Sequence, residues 1–518
     1  MDAIALSLFA SRIAAVCDEM GAVLQRAAFS PNIKDRLDFS CAVFDLQGEL
    51  CAQAAHIPVH LGSMAFAMRS IVGQLRWNDG DMVVLNDPYL GGTHLPDVTL
   101  IAPIFCDGAL MGYVANRAHH ADIGASTPGS MPISSCLEEE GMLIPPSYLI
   151  SRGQLNETLM NTMIGSTQHP AASRGDFAAQ MSANQTGVVR MQTLINMFGA
   201  DRYSQLLAAL NEYAEKLARS ALKEIPDGEY QFTDLMDDDG LGQTDIPINV
   251  SLSINAGSVH VDFSGTSGQV PGNINCPLSV AAAGVYYVFR CLMPAQTPAC
   301  SGSFRPITLS APQGSLLNAR RPAAVAAGNV ETSSRVVDVV MGALARALPE
   351  KMAAASHGSM NNIAMGARGA RGAPNDPHSW DYYETVGGGM GASASGAGLS
   401  GVQTHMTNTL NTPIESLEMH FPLRVSRYAL RDSSGGRGLH AGGDGLIREF
   451  VFLEDASITL LTERRRHAPW GLNGGGPGKP GQNLHNNRPL AGKTQLHVSA
   501  GDHLTILTPG GGGWGKPQ

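Results

Sequence analysis

Asp81-Met-Val-Val-Leu-Asn-Asp-Pro-Tyr-Leu-Gly-Gly-Thr-His-Leu-Pro-Asp-Val-Thr-Leu-Ile101 is an apolar run, a series of turn formers and a second apolar run. Asp81–Leu85 and Val98–Ile101 read as short strands, being β-rich and bounded by Gly, Pro, Asn and Asp. The chain between them turns at Pro88 and again at Gly91-Gly92. It delivers a histidine, His94, and a carboxylate, Asp97, three residues apart on a loop at a strand end, where rigid scaffolds place chemistry. Working outward, Cys41-Ala-Val-Phe44 and Gly112-Tyr-Val-Ala115 are runs of the same kind, with a helix expected at about 62–76.

Ahead of these strands, Leu6, Phe9, Ile13, Val16, Met20, Val23, Leu24 and Ala27 recur at three- and four-residue steps. That spacing predicts an amphipathic helix over 4–28. Residues 153–225 return to a helical pattern, clearest at 202–224, and Ile225-Pro-Asp-Gly-Glu229 is a turn. Strands follow over 229–270, then helices at about 278–293 and 331–348. From 364 onward glycine dominates, and short strands with tight turns are expected to the end. There is no internal repeat. The fold class read from this is mixed α+β, with four regions: 1–152 around the candidate metal site, a helical 153–226, an α/β 227–363 and a β-rich, Gly-rich 364–518.

The chain has 518 residues, 43% hydrophobic and 15% charged, which favours a large core over disorder. A net charge of −10 leaves no basic stripe for phosphate backbones, so nucleic-acid binding is not expected. No apolar stretch approaches the roughly 18 residues of a membrane span, and the start lacks a secretory pattern. Eight cysteines without CxxC spacing fit reduced thiols of a cytoplasmic protein. The 59 glycines and 22 methionines beside so few charges favour burial against other chains.

The second chemically loaded stretch is Asn116-Arg-Ala-His119-His120-Ala-Asp122. Imidazole and carboxylate together suit Zn²⁺, Mn²⁺ or Fe²⁺ better than Ca²⁺. Adjacent residues on extended chain point to opposite sides, so only one of His119 and His120 can join His94 and Asp97. Asp35, Asp38, His56 and His60 are candidates for a further ligand. An isolated HxxD is common and mostly means nothing; the adjacent histidines and acids raise its weight. Other chemistries lack their patterns: there is no HExxH and no GxSxG. Gly492-Lys493-Thr494 has Asn487 where a phosphate loop needs glycine. Gly387-Gly388-Gly389 lacks the βαβ setting of a dinucleotide fold. Arg464-Arg465-Arg466 reads as a solvated or subunit-facing patch.

Taken together, the motifs resemble the hydantoinase B/5-oxoprolinase B-type subunits, relatives of the acetone carboxylase α subunit. The resemblance runs through Asp38-Phe-Ser, His56-Ile-Pro-Val-His60-Leu-Gly, the His94/Asp97 loop, His119-His120-Ala-Asp-Ile-Gly and Arg174-Gly-Asp176. It continues in Gly328-Asn-Val-Glu331-Thr-Ser, Tyr383-Glu384-Thr-Val-Gly-Gly-Gly-Met-Gly391, Thr407-Asn408-Thr-Leu-Asn411-Thr-Pro-Ile-Glu415, Pro469-Trp470-Gly-Leu and the glycine-rich tail. Departures fall at Asp35, at Cys136-Leu-Glu-Glu-Glu140 and at Ser393-Ala-Ser395, and leave the substrate open.

The resemblance implies an ATP-dependent hydrolase of cyclic amides (a hydantoin, 5-oxoproline or a lactam). It implies an A-type partner of actin/hexokinase-like fold that binds the ATP and phosphorylates the substrate, in a hetero-oligomer with two or more copies of each subunit. It places a divalent metal, Zn²⁺ or Mn²⁺, on Asp38, His94, Asp97 and His119. His120, Glu140 and Glu384 are then candidates for proton transfer. A ketone carboxylase subunit and a non-catalytic scaffold for the ATP-binding partner are the rival readings.

Overall fold

The computed structural model describes residues 3–54, 57–60, 62–368 and 379–517. Seven strands form the first sheet: β1 (Phe39–Phe44), β2 (Leu50–Ala54), β3 (Met82–Leu85), β4 (Asp97–Cys106), β5 (Ala109–His119), β6 (Ser147–Ser151) and β7 (Gln154–Leu155). Their order is β2-β1-β5-β4-β3-β6-β7, with antiparallel pairing throughout. Both faces are covered. Helices Ala3–Ala27 and Pro170–Phe198 pack Phe9, Ile13 and Leu194 against Val43, Val114 and Ala118. Helix Ser63–Ile71 packs Met64 and Met68 against Phe44, Ile101 and Tyr113 on the other side. Two-sided burial explains why these strands are near-continuous apolar runs, with no alternation of polar residues.

The N-terminal helix matches its expected span. Helix Pro170–Phe198, the longest at 29 residues, carries almost no hydrophobic stripe. Its buried face is mostly small and amide side chains in the first half, Ala179, Gln180, Ala183, Asn184 and Gly187 beside Asp176 and Phe177, and turns apolar only at Met191, Leu194 and Ile195. Only its follower, Ala200–Leu222, shows the leucine spacing that periodicity detects.

The second sheet runs β11-β10-β9-β8, from β8 (Gly228–Asp238), β9 (Thr244–Asn255), β10 (Ser258–Asp262) and β11 (Ile307–Ser310). In β9 the residues Ile246, Ile248, Val250, Leu252 and Ile254 are buried in strict alternation. They face helices Leu278–Cys291 and Ser333–Ala347. A five-residue π-turn, Gly328–Thr332, leads into the latter helix.

The C-terminal part holds two sheets. Its strands are β12 (Asn362–Ala367), β13 (Trp380–Glu384), β14 (Leu423–Arg431), β15 (Gly445–Phe452), β16 (Ala456–Leu461), β17 (Gln482–His485), β18 (Arg488–Leu490), β19 (Lys493–Val498) and β20 (His503–Leu507). The orders are β13-β12-β16-β19 and β14-β15-β20-β17-β18, sharing a core of Ile363, Tyr382, Phe450, Ile458 and Ile506. One helix, Ile414–His420, interrupts what was expected to be strands and turns alone. Much of the glycine lies outside the strands, in extended segments hydrogen-bonded to one another, as Gly436 N–H to Gly511 O at 2.8 Å and Gly511 N–H to Gly443 O at 2.9 Å. A Cβ on Gly443 would sit 1.9 Å from Leu399 O, and one on Gly511 2.0 Å from Met390 O. Only glycine permits that approach. Among the described residues no helix is long and apolar enough to cross a membrane.

Candidate metal centre

The loop between β3 and β4 is fastened before it reaches its histidine. Asn86 donates to Leu95 O at 2.8 Å and Met142 O at 2.9 Å, and accepts from Ile144 N–H at 2.7 Å. Gly91 has φ 90°, and a Cβ there would lie 2.2 Å from Ala67 N, so the turn seats directly on helix Ser63–Ile71. Asp97 opens β4 and stands opposite His119 in the register of β4 with β5. That pairing selects His119 over His120.

His94, Asp97 and His119 are each at most 2% exposed, and one ligand atom from each lies within 4.8 Å of the others. Asp97 Oδ2 is 3.4 Å from His94 Nε2 and 3.4 Å from His60 Nε2, and it accepts from the Thr93 hydroxyl and, at 3.5 Å, from the Asn329 amide. His94 Nδ1 faces Ala326 O at 3.3 Å and donates to it, which leaves Nε2 as the lone-pair nitrogen of the neutral ring. His119 is stacked on Tyr383 with centroids 4.5 Å apart, and Asn32 lies 3.2 Å from its Nδ1. The Nε2 atoms of both His94 and His119 are buried without a hydrogen-bond partner. Two unpartnered imidazole nitrogens beside a carboxylate fit a divalent cation of the Zn²⁺/Mn²⁺ type.

Burial pushes Asp97 up, but His94 and His60 outweigh it and hold the carboxyl well below its usual range. Burial disfavours charge on His94, but Asp97 and the Ala326 carbonyl raise its pKa. Burial, reinforced by His94, drives His119 far down, so its ring stays neutral. Asp38 has a raised pKa through burial, opposed by Arg36. It lines the same small cavity, about 20 Å³, as His60, Asp97, His119, Asn329 and Tyr383, though it lies outside the tight triad. Its carbonyl accepts from His119 N–H at 3.0 Å.

The three residues expected to move protons are distributed differently. His120 points away from the cluster, against Phe177 and 3.0 Å from Gln180 Oε1, as the alternation of extended chain requires. Glu384 is also turned away: while its neighbour Tyr383 stacks on His119, Glu384 pairs with Arg448 at 2.9 Å and accepts from Asn411. Glu140 is buried behind His94. One of its oxygens accepts from Val325 N–H, Ala326 N–H and the Ser134 hydroxyl, and burial lifts its pKa to about 7. It thus steadies the peptide that receives His94.

Asp35 is half-buried at the end of a short helix, and His56 lies outside the described residues. His60 was one candidate among four, and nothing in its spacing ranked it first. Asn329, Tyr383 and the cavity threonines 385, 407 and 409 carried no role in the sequence, although their motifs stood out.

A family model described as Hydantoinase B/oxoprolinase matches residues 2–517. An uncharacterized protein of Methanocaldococcus jannaschii is 40% identical over 100% of this chain and 91% of its own length. The 5-oxoprolinase 1 of Arabidopsis thaliana is 40% identical over 99% of this chain, which spans 42% of that protein. Among solved structures, an ATP-dependent caprolactamase from Pseudomonas jessenii superposes with TM-score 0.91 at 27% identity, covering 100% of this chain and 91% of that one.

Proposed function

The chain belongs to the hydantoinase B/oxoprolinase family, and from that premise we propose that it is the metal-bearing part of an ATP-dependent cyclic-amide hydrolase. The relatives named for 5-oxoproline and caprolactam supply the substrate class. ATP is spent on an A-type partner, which phosphorylates the ring amide oxygen; this chain completes the hydrolysis. The eight unpaired cysteines suit a reducing, cytoplasmic setting.

The observation that carries this reading is the convergence of His94, Asp97 and His119 with two buried, unpartnered imidazole nitrogens. These three would hold Zn²⁺ or Mn²⁺, with Asp38 as the fourth ligand. A bound cation supplies Lewis acidity, which stabilises negative oxygen and makes water more acidic. The protein supplies the rest. Thr93, His60 and Asn329 orient the Asp97 carboxylate, and Ala326 O fixes the His94 tautomer. Tyr383 and Asn32 hold the His119 ring, while burial excludes bulk water. An amide nitrogen is a poor leaving group, so activation by the partner must precede this step.

The test is a reconstituted complex turning over hydantoin, 5-oxoproline and caprolactam with ATP, its metal counted by mass spectrometry. About one divalent ion per chain is expected, and His94→Ala should remove metal and turnover together. Full turnover in a metal-free His94→Ala complex would overturn the reading, and bicarbonate-dependent ketone consumption would replace it with the carboxylase.

A further inference from the structure

Thr385, Thr407 and Thr409 line the same cavity as Asp97 and His119, and all three are buried. Behind them lies Arg36, itself 0% exposed. Its four hydrogen bonds all go to neutral acceptors: Asn32 Oδ1 at 3.3 Å, Tyr383 O at 3.0 Å, Thr385 Oγ1 at 3.0 Å and Thr409 Oγ1 at 3.4 Å. Its guanidinium also lies over the Tyr383 ring, 4.8 Å from the centroid. Its charge reaches the Asp38 carboxyl on the same cavity, but none of its hydrogen bonds ends on an anion; a buried guanidinium bonded in this way favours a further anion beside it.

A guanidinium only donates, and so does an amide NH₂. Thr385 Oγ1 therefore accepts from Arg36 and, at 3.4 Å, from Gln403 Nε2, and its own proton must point elsewhere. Thr409 Oγ1 is the hydroxyl 2.8 Å away. Thr409, accepting from Arg36 and Thr385, passes its proton towards Thr407 at 3.3 Å. Thr407, at the end of the chain, is left with a hydroxyl proton for the cavity. Each bond in such a relay polarises the next, so the charge of Arg36 is felt at Thr407.

We propose that Thr407 and Thr409, backed by Arg36 as a positioning residue, form a subsite for one anionic oxygen of the substrate, contributed by a carboxylate or a phosphoryl group. A cavity of about 20 Å³ admits one such oxygen and not a whole phosphate. Preorganised donors of this kind are worth most where water is excluded. The subsite rests on the cyclic-amide reading for the identity of that oxygen, phosphoryl from activation or carboxylate from the ring substituent, but not for its existence.

The experiment is calorimetric titration of the full chain with formate and, separately, inorganic phosphate, with and without Mn²⁺. One saturable site for at least one anion is expected; formate preference assigns the carboxylate, phosphate preference the phosphoryl group. Thr407→Val, nearly isosteric, should weaken binding tenfold or more, and Thr407→Ser should restore it. Arg36→Lys should fall between wild type and Arg36→Gln, with circular-dichroism melts reporting folding in each variant. Binding of neither anion by the wild type, or wild-type affinity in Thr407→Val, would overturn the subsite. Turnover does not enter the titration, so a complex inactive on every cyclic amide would remove the functional reading and leave the subsite to be decided by the anions.

Discussion

Asp97 shows how much of the centre depends on residues that would never touch a metal. One of its oxygens gathers contacts from Thr93, His60, His94 and Asn329, four residues from three parts of the chain. Glu140 acts one step further back, through the peptide of Val325 and Ala326. Glu140→Ala strands two buried N–H groups, which costs about 2–4 kcal/mol in urea denaturation. It also frees the carbonyl that orients His94, so Zn²⁺ affinity in a competition titration should fall about 10- to 100-fold. His120→Ala is the contrasting case. It removes the contact with Gln180 and Phe177 and is expected to lower stability by about 1–3 kcal/mol while leaving metal content unchanged. Loss of the metal in His120→Ala, with the fold intact, would contradict the assignment of His119 as the ligand.

At the scale of the element, the π-turn Gly328–Thr332 is the most consequential short segment. Its wider winding sends Asn329 to Asp97 and Glu331 to the far side, where it accepts from Met360 N–H at 3.0 Å and feels Glu463 and Lys493. Burial, and then the field of Glu463, push Glu331 from its ordinary 4.5 to about 8. An acid with a raised folded pKa keeps a proton that the unfolded chain releases. Its contribution to stability is therefore full below the unfolded value and is lost as pH rises from about 4.5 to 8. Glu331→Gln should flatten the pH dependence of unfolding free energy across that window, by roughly 2–4 kcal/mol between its ends. Parallel wild-type and Glu331→Gln curves over that range would refute it.

At the scale of the molecule, the centre is assembled from distant parts of the chain. The first sheet brings His94, Asp97 and His119; the π-turn brings Asn329; the C-terminal part brings Tyr383 and the threonines. The interlocked glycine segments around Gly443 and Gly511 belong to that last part. Gly443→Ala places a methyl where Leu399 O already sits, and a loss of at least about 3 kcal/mol, or failure to fold, is expected. Gly396→Ala, with open space around it, is the control and should melt within a degree or two of wild type. Equal melting of the two variants would show that the close packing is not needed.

The sequence by itself determined what is local. The strand–turn–strand of 81–101 follows from turn chemistry, and with it the delivery of His94 and Asp97 on one loop. The N-terminal helix follows from its leucine-like spacing, and the glycine-rich end from composition. What tertiary structure alone decided is what depends on pairing and on the opposite face. The register of β4 with β5 sets Asp97 against His119 and turns His120 to the helix behind. Helix Pro170–Phe198 hides from periodicity because its buried face from Ala179 to Gly187 carries alanine, glycine and amides, leaving the apolar repeat to Met191, Leu194 and Ile195 near its end. Glu384 was within a conspicuous motif, yet pleat parity gives Tyr383 to the cavity and Glu384 to Arg448. Asn329 meets Asp97 across 232 residues of chain, a contact that no local pattern carries and only packing creates.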